Sequence, residues 1–530
     1  MEGLARDTAA LPGPISMRAA YFWSAVALSS GCAEGAPPGA APSASASTVV
    51  VAAAPSETPP SDAIKPSLRA EVGSELDNLP FAKSGDRVAS IAWRTWVYTD
   101  TGPKRTRFGY LRAGAVVPSR GPAIVNDGCP GGWLRVNPRG FVCVGKGAAT
   151  DVDNPVVVAS SVAPRRGEGL PYLYAMAKNP GPHFYFRLPS QSEMLAVEGP
   201  GFGGRMVEWK ETVKRPEVAA LLGDVGAPPD FLPRASGQSL VKPYGTEQAL
   251  HRSVHAGRSD PDAGFAVQRV FEWEQRAFGL TTELDVIPMD RTRLVVPSQF
   301  HGVALGPTGD LPAAIVNKRW ALKYREVKAG LLKPVGTFAF REAFALTGRT
   351  VTFEGVRFWE GTGGDFVPLS SALILEKRST FPSVAEGNRK WIDVSIRDQT
   401  LVAYEGNRAA YVTLVSTGLA GLADPEKAPA TVRGTYMIHT KHVSATMDGS
   451  EDVADSYSLR DVPFVQYFHK GYALHAAYWH DEFGKMRSHG CINLSPTDAA
   501  WLFEWTDPEV PQGWHGVINK ERGTAIIVRP

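Results

Sequence analysis

The chain has 530 residues, 43% of them hydrophobic, too many for one ordinary core, so two to four domains are expected. Its 56 Lys and Arg nearly cancel its 54 Asp and Glu, a formal charge of +2, which excludes a strongly basic nucleic-acid surface or a polyanion-binding face. No apolar run reaches the length that crosses a bilayer as a helix.

Residues 1–32 have the layout of an export signal: "MRAAYFWSAVALSSGC" places Arg18 before a short apolar stretch and then small residues. The acidic segment ahead of Met17 is foreign to such a signal and makes Met17 a candidate initiator. "SSGC" resembles the lipobox of bacterial lipoproteins, with Ser29 where Leu is usual. Cys32 is therefore a candidate for lipidation and membrane anchoring, with plain signal cleavage as the alternative. Residues 33–85 begin Ala/Pro/Ser-rich and read as a linker that cannot bury enough surface to offset its ordering entropy. In an oxidising compartment Cys129 and Cys143 are a candidate disulfide, worth about 3 kcal/mol if unstrained. Two reduced core cysteines are the alternative; a bridge would leave Cys491 as the free thiol.

Residues 86–150 carry short apolar alternations broken by turns, predicting a small β-domain. "GGWLRV" followed by "RGFVCV" resembles a bacterial SH3-like module, which implies a small barrel. Residues 151–387 read as a mixed, mainly β accessory region with one helix over 266–278 and no repeat of fixed period. Its histidines, His183, His251, His255 and His301, are scattered and read as surface or core residues rather than ligands.

From 388 to 530 the pattern sharpens. "WIDVSI" (391–396) alternates as a half-buried strand, and "LVAY", "AAYVTLVSTG", "RGTYMIHTKHV", "FVQYFHKGYALHAAY" and "GTAIIVRP" add further strands. Near its end, "RSHGCINLSPTDAAWLF" (487–503) sets a cysteine just ahead of a helix start. Ser495 is the N-cap, Pro496 the first helical residue, and Asp498 completes a capping box. Cys491 lies too far before that cap for the helix dipole to ionise it.

A cysteine attacks as thiolate, so a neighbouring base or cation is required. His489, two residues away, could flank the sulfur, and His475 could reach it from another strand. Gly490 clears the backbone for an incoming carbonyl, and the N–H groups around 489–491 could stabilise an oxyanion. His439 and His442 are three apart in an extended segment and face opposite sides, a poor zinc pair.

"HAAYWHDEFGKMRSHGCINLSPTDAAWLF" (475–503) resembles the signature of the L,D-transpeptidase catalytic domain, the YkuD family: a first His, a spacer ending in Gly484, then Ser488, His489, Gly490, Cys491, Ile492 and Asn493. The likeness extends upstream over some 140 residues. Ala476 stands where many members have Gly, and "TVRGTY" keeps Thr431 and Gly434 of a turn that has lost its Pro.

The resemblance implies a mainly β chain with a sandwich-like catalytic domain at 388–530 and a short helix after the nucleophile. It implies that Cys491 attacks the third residue of a peptidoglycan stem peptide, releases D-Ala as a thioester forms, and passes the acyl group to a second stem in a 3–3 cross-link, to a protein amine, or to water. His475 would be the base, His489 an orienting group, Ser488 a support, and Gly490 with Cys491 the oxyanion donors. Asn493, Tyr478 and Gly484 are candidate substrate-binding positions, with holding the loop as the alternative role for Asn493. No cofactor and no metal is implied, and the location would be the periplasm or cell envelope. An inactive stem-peptide-binding or scaffolding lipoprotein, or an L,D-carboxypeptidase, is the alternative.

Overall fold

The computed structural model describes residues 86–530 except 168, 224, 236–237, 247–252 and 449–457. The export signal, Cys32, the linker and His251 lie outside the described residues. The described chain is mainly β, and none of its helices is long and apolar enough to cross a membrane.

Seven short strands between Arg87 and Ala149 pair in the spatial order 148–149, 87–90, 116–126, 129–136, 141–143, 94–98, 107–112. Cys129 and Cys143 are joined by a disulfide with Cα atoms 5.8 Å apart, packed beside Trp133 and Phe141. The expected SH3-like barrel does not close. Instead of meeting the first strand, Arg107–Arg112 pairs with the C-terminal strand Gly516–Ile518, which covers its edge. Two glycines permit the approach: a Cβ on Gly109 would sit 2.4 Å from the Trp514 ring, and one on Gly516 would sit 2.4 Å from Tyr110.

The helix expected over 266–278 is a β-hairpin. Gly264–Trp273 pairs with Arg276–Thr281 around Glu274 and Gln275, whose φ values of 48° and 62° make the tight turn. Val267, Val270 and Phe271 fit a helical stripe, but tertiary pairing decided the outcome: residues 264–267 also pair with Leu173–Ala177. The middle region holds two units of the same strand order. In each, a first strand (Leu173–Ala177; Ala313–Val316) pairs with both a hairpin and a last strand (Thr292–Leu294; Ala372–Leu375) that follows a 3-10 turn. Inserts of unequal length after the first strand explain why no fixed period is visible in the sequence.

The C-terminal strands are numbered here from Lys390: β1 Lys390–Ser395, β2 Thr400–Glu405, β3 Arg408–Leu414, β4 Gly434–Met437, β5 Thr440–Asp448, β6 Ser458–His469, β7 Tyr472–Ala476, β8 Ile492–Leu494, β9 Gly516–Ile518 and β10 Ala525–Arg529, with helix α1 at Pro496–Trp505. One sheet runs β3-β2-β1-β10-β4, extended beyond β3 by Val303–Ala304. The other joins β9 to β5, then β6, β7 and β8. Ile392, Val394 and Leu401 of the first sheet meet Val443, Phe464, Leu474 and Ile492 of the second, with Leu502 and Phe503 of α1 in the same core. β1 was expected to be half-buried, yet both its faces are covered. Trp391 packs against Phe300, Leu311 and Ile315 of the middle region, and Asp393 is buried between Arg378 and Arg529, each 3.0 Å away.

Helix α1 starts at the predicted N-cap, with Ser495 Oγ accepting the Asp498 N–H at 3.2 Å and Pro496 in the first turn, but only that half of the expected capping box is made, because the Asp498 carboxylate is engaged outside the helix. Buried Asp498 accepts from Gly302 N at 2.8 Å and from the Tyr411 hydroxyl at 2.7 Å, tying the middle region to the helix. Buried Lys441 donates to the carbonyls of Phe503 and Thr506 and satisfies the other helix end.

A single buried carboxylate joins the parts. Asp461 of β6 forms a bidentate pair with Arg112 and also accepts from Ser444 of β5 and from Thr282 of the middle region. Arg112, hydrogen bonds and nearby His515 hold its pKa far below the usual carboxylate range despite burial. Asp461→Ala would leave a buried guanidinium without its charge partner, at a cost of about 3–5 kcal/mol. Urea or thermal denaturation should register that loss, whereas replacing Arg112 and Asp461 together with apolar residues should cost less.

Candidate active site

β7 and β8 are parallel neighbours, and their register sets His475 beside Asn493 and Leu474 beside Ile492. Side chains alternate along a strand, so Cys491, one residue ahead of β8, shares the His475 and Asn493 side of the sheet. His475 is 2% exposed, and its Nδ1 lies 3.1 Å from the Ala476 carbonyl oxygen. A carbonyl only accepts, so Nδ1 carries the proton and Nε2 keeps its lone pair. Burial lowers the His475 pKa to about 4, opposed by the Ala476 hydrogen bond and assisted by nearby His480. The imidazole is therefore neutral at neutral pH.

The Cys491 thiol is half-buried and reduced. Sγ lies 3.7 Å from the Gly471 carbonyl. Burial pushes its pKa up to about 11, against a hydrogen bond from the Ala473 backbone. The resting pair is thus a thiol and a neutral imidazole.

The loop into the cysteine is held by Ser488, which is buried and whose Oγ accepts from Gly490 N at 3.1 Å and donates to the Cys491 carbonyl. The Gly490 N–H expected as an oxyanion donor is engaged by that hydroxyl in this arrangement. Gly490 itself has φ +141°, and a Cβ there would lie 2.8 Å from the Tyr472 ring and 3.2 Å from the Ala430 carbonyl. On the far side of the loop, Arg487 N and Ser488 N both donate to the Thr417 carbonyl.

Other expected site residues fall differently. His489 is exposed while Cys491 is half-buried, so it stands on the solvent side of the loop. Tyr478 is not open to a substrate. It is 5% exposed, its ring lies 4.4 Å from that of Tyr174, and its hydroxyl donates to the Arg460 carbonyl. The cause is the middle region, which packs on this side of β7. Gly484, at φ +94°, donates its N–H to the Val415 carbonyl and acts as a turn residue. Asn493 is 2% exposed. Half-buried His442 shares a hydrogen bond at Nδ1 with the Tyr110 hydroxyl, 3.0 Å away, and His439 pairs with Thr440 Oγ1 at 2.8 Å. Among the described residues no group of three or more His, Cys, Asp or Glu is placed to hold a metal ion.

Three neighbours escaped the sequence reading. Trp479 sits over His475 with ring centroids 5.7 Å apart, Tyr472 packs on Gly490, and His480 contacts Asn493. Only His480 left a signal, a second histidine five residues after the first.

Residues 389–528 match the family model of YkuD, the L,D-transpeptidase catalytic domain. The putative L,D-transpeptidase YciB of Bacillus subtilis (strain 168) is 26% identical over 140 residues, 22% of this chain and 59% of its own length. Among solved structures, an L,D-transpeptidase mutant of Enterococcus faecium is 20% identical over 30% of this chain and 55% of that one, with a TM-score of 0.21. An L,D-transpeptidase from Mycobacterium smegmatis is 19% identical over 45% of this chain and 89% of that one, with a TM-score of 0.22. The chain thus spans 59% of the length of the curated relative.

The crowding at Gly490 yields an expectation. Gly490→Ala forces a side chain against Tyr472 and the Ala430 carbonyl at a backbone angle that favours glycine, costing roughly 1–3 kcal/mol locally. Hydrogen exchange of the 488–491 amides should accelerate in that variant while the β1–β3 amides keep their protection.

Proposed function

We propose, from a domain of the YkuD L,D-transpeptidase family at residues 389–528, that this protein transfers acyl groups between peptidoglycan stem peptides through a thioester on Cys491. The observation that carries the reading is the placement of His475 and Cys491 on one face of adjacent parallel strands, with the His475 tautomer fixed by the Ala476 carbonyl. His475 Nε2 takes the thiol proton as Sγ attacks the carbonyl of the third stem residue. The tetrahedral oxyanion collapses and expels D-Ala, whose amine leaves with the proton from Nε2. The amine of a second stem then attacks the thioester, again giving its proton to His475, and Sγ leaves as the thiol. A protein amine or water could serve as acceptor by the same steps.

Because both partners are neutral at rest, proton transfer accompanies attack instead of preceding it. Ser488 holds the loop, and the Cys491 N–H is the oxyanion donor left from the expected pair. His489 is assigned to the substrate side of the thiol. Work on peptidoglycan places the protein outside the cytoplasm, in the periplasm or cell envelope, and the disulfide between Cys129 and Cys143 supports an oxidising compartment. Lipid tethering through Cys32 belongs to the same reading. No cofactor is required for acyl exchange by a thiol and a base.

Cys491→Ala should abolish release of D-Ala and cross-link formation from a stem tetrapeptide while leaving the thermal midpoint near the wild-type value. Turnover retained in that variant would overturn the assignment. The acid limb offers a second check. His475 must be unprotonated, and burial holds its pKa near 4, so the acylation rate should stay level from neutral pH to about 5 and fall as pH approaches 4. A midpoint at the ordinary histidine value of about 6.5 would contradict the buried-base account.

A further inference from the structure

One hairpin of the middle region stands apart in charge and exposure. Residues 322–337 carry Lys323, Arg325, Lys328 and Lys333 against one acid, Glu326, a local charge of +3 (4 − 1) where the whole chain totals +2. The whole-chain balance averages over this local excess. The strands Leu322–Lys328 and Leu331–Thr337 pair antiparallel, with Arg325 directly opposite Lys333 and Lys328 opposite Leu331 at the tip. Like charges at opposed positions destabilise a ladder unless an anion lies near them. Asp365 meets part of that need, with its carboxylate 2.8 Å from Arg325 Nε and 3.6 Å from Lys323 Nζ. Among the described residues neither Lys328 nor Lys333 forms an ion pair.

Apolar side chains share that surface. Tyr324 and Leu332 turn inward to Phe358 and Phe366, so strand alternation sends Arg325, Val327 and Lys333 outward. Val327 is 56% exposed, Val335 52% and Leu331 41%. Leu331–Thr337 is an edge strand, and lysine and proline on an edge block pairing with another chain, which accounts for Lys333 and Pro334. It does not account for three exposed apolar side chains beside them. The hairpin is also firmly built: Glu326 Oε1 accepts from Gly330 N at 2.7 Å across the tip and pairs with Arg349, and the Tyr324 ring lies 4.8 Å from that of Phe358. At its base Trp320, 83% exposed, follows Lys318 and Arg319, an amphipathic ring of the kind that sits where apolar and wet layers meet.

We propose that this hairpin is a docking surface for an anionic lipid bilayer, with Val327 and Leu331 entering the headgroup layer and Lys328 and Lys333 held at the lipid phosphates. The union of charge with apolar bulk selects the occupant. A soluble polyanion would satisfy the lysines and leave the valine and leucine side chains in water. A second copy of this chain presenting the same face would set lysine against lysine. A bilayer offers phosphate charge and, directly beneath it, an apolar layer. The inference goes beyond acyl transfer and needs none of the Cys491 chemistry. Docking there would also hold the catalytic body at the membrane face, because Arg341, four residues past the hairpin, bonds Asp481 of the loop that leads to Cys491, with Nη2 2.6 Å from its carboxylate.

Co-sedimentation of the full chain with phosphatidylglycerol vesicles, against phosphatidylcholine vesicles, tests this. Every variant keeps the same N-terminal segment, so the difference between variants is what is read. The wild type should prefer phosphatidylglycerol. Lys328→Gln together with Lys333→Gln should weaken that binding roughly thirtyfold, about fivefold for each cation near an anionic surface. Val327→Ser together with Leu331→Ser leaves the charge unchanged and should weaken it roughly tenfold through lost apolar burial. All four positions are exposed, so the thermal midpoint should stay near the wild-type value in both. Hydrogen exchange at the 327–331 amides should slow when phosphatidylglycerol vesicles are added to the wild type. No preference for phosphatidylglycerol, or wild-type binding by either double variant, overturns the proposal. Binding to soluble poly(glycerol phosphate) that is as tight as to vesicles and indifferent to Val327 and Leu331 also overturns it, and assigns the hairpin to an anionic polymer instead.

Discussion

The parallel register of β7 and β8 is the constraint on which the site depends. Parallel neighbours cannot be joined by a tight hairpin, so the chain between them must cross over as a loop. That loop, residues 477–491, carries Trp479, His480, Ser488, His489 and Gly490, and the register returns it so that Asn493 stands beside His475. A slip of one residue would send Cys491 to the opposite face. The loop is accordingly fastened along its length, by Gly484 N to the Val415 carbonyl, by Arg487 and Ser488 N to the Thr417 carbonyl, and by Ser488 Oγ to Gly490 and Cys491.

The physical unit around the thiol extends beyond residues 388–530. Val303–Ala304 adds a strand to the first sheet, Gly302 N caps Asp498, and Arg341 holds Asp481 next to His480. From the other side, Arg112 and Thr282 converge on Asp461 of β6. The two middle units and the N-terminal strands are thus built into the same packed body as the C-terminal sheets. Burial also sets the electrostatics here: it disfavours both the Cys491 thiolate and the His475 imidazolium, so the two side chains are uncharged at rest.

The sequence was most legible where local chemistry decides the outcome. The S-P-x-D start of α1 and the strand runs of β1 to β3 depend on residues close together in the chain, and Ser495, Pro496 and Asp498 take the predicted positions. It was least legible where distant pairing wins. The apolar spacing of 266–278 suits a helix, and only the strand Leu173–Ala177, far upstream, makes it a hairpin. Tyr478 looked available because nothing local reveals that Tyr174 packs on it. The buried face of Asp393 and the edge of the N-terminal strands that Gly516–Ile518 covers have the same origin. Within the motif, residue types indicated a base and a nucleophile. The tautomer of His475 and the exposure of His489 depended on backbone geometry that a motif does not specify.

The most direct test of the central claim is intact-protein mass spectrometry of the purified protein after brief exposure to a stem tetrapeptide or a carbapenem, followed by peptide mapping of the adduct. The account predicts a mass increase equal to the stem acyl group without its terminal D-Ala, or to the carbapenem, on the peptide containing Cys491 and absent from Cys491→Ala. A folded, reduced protein that gains neither adduct, or gains one elsewhere in the chain, would contradict it.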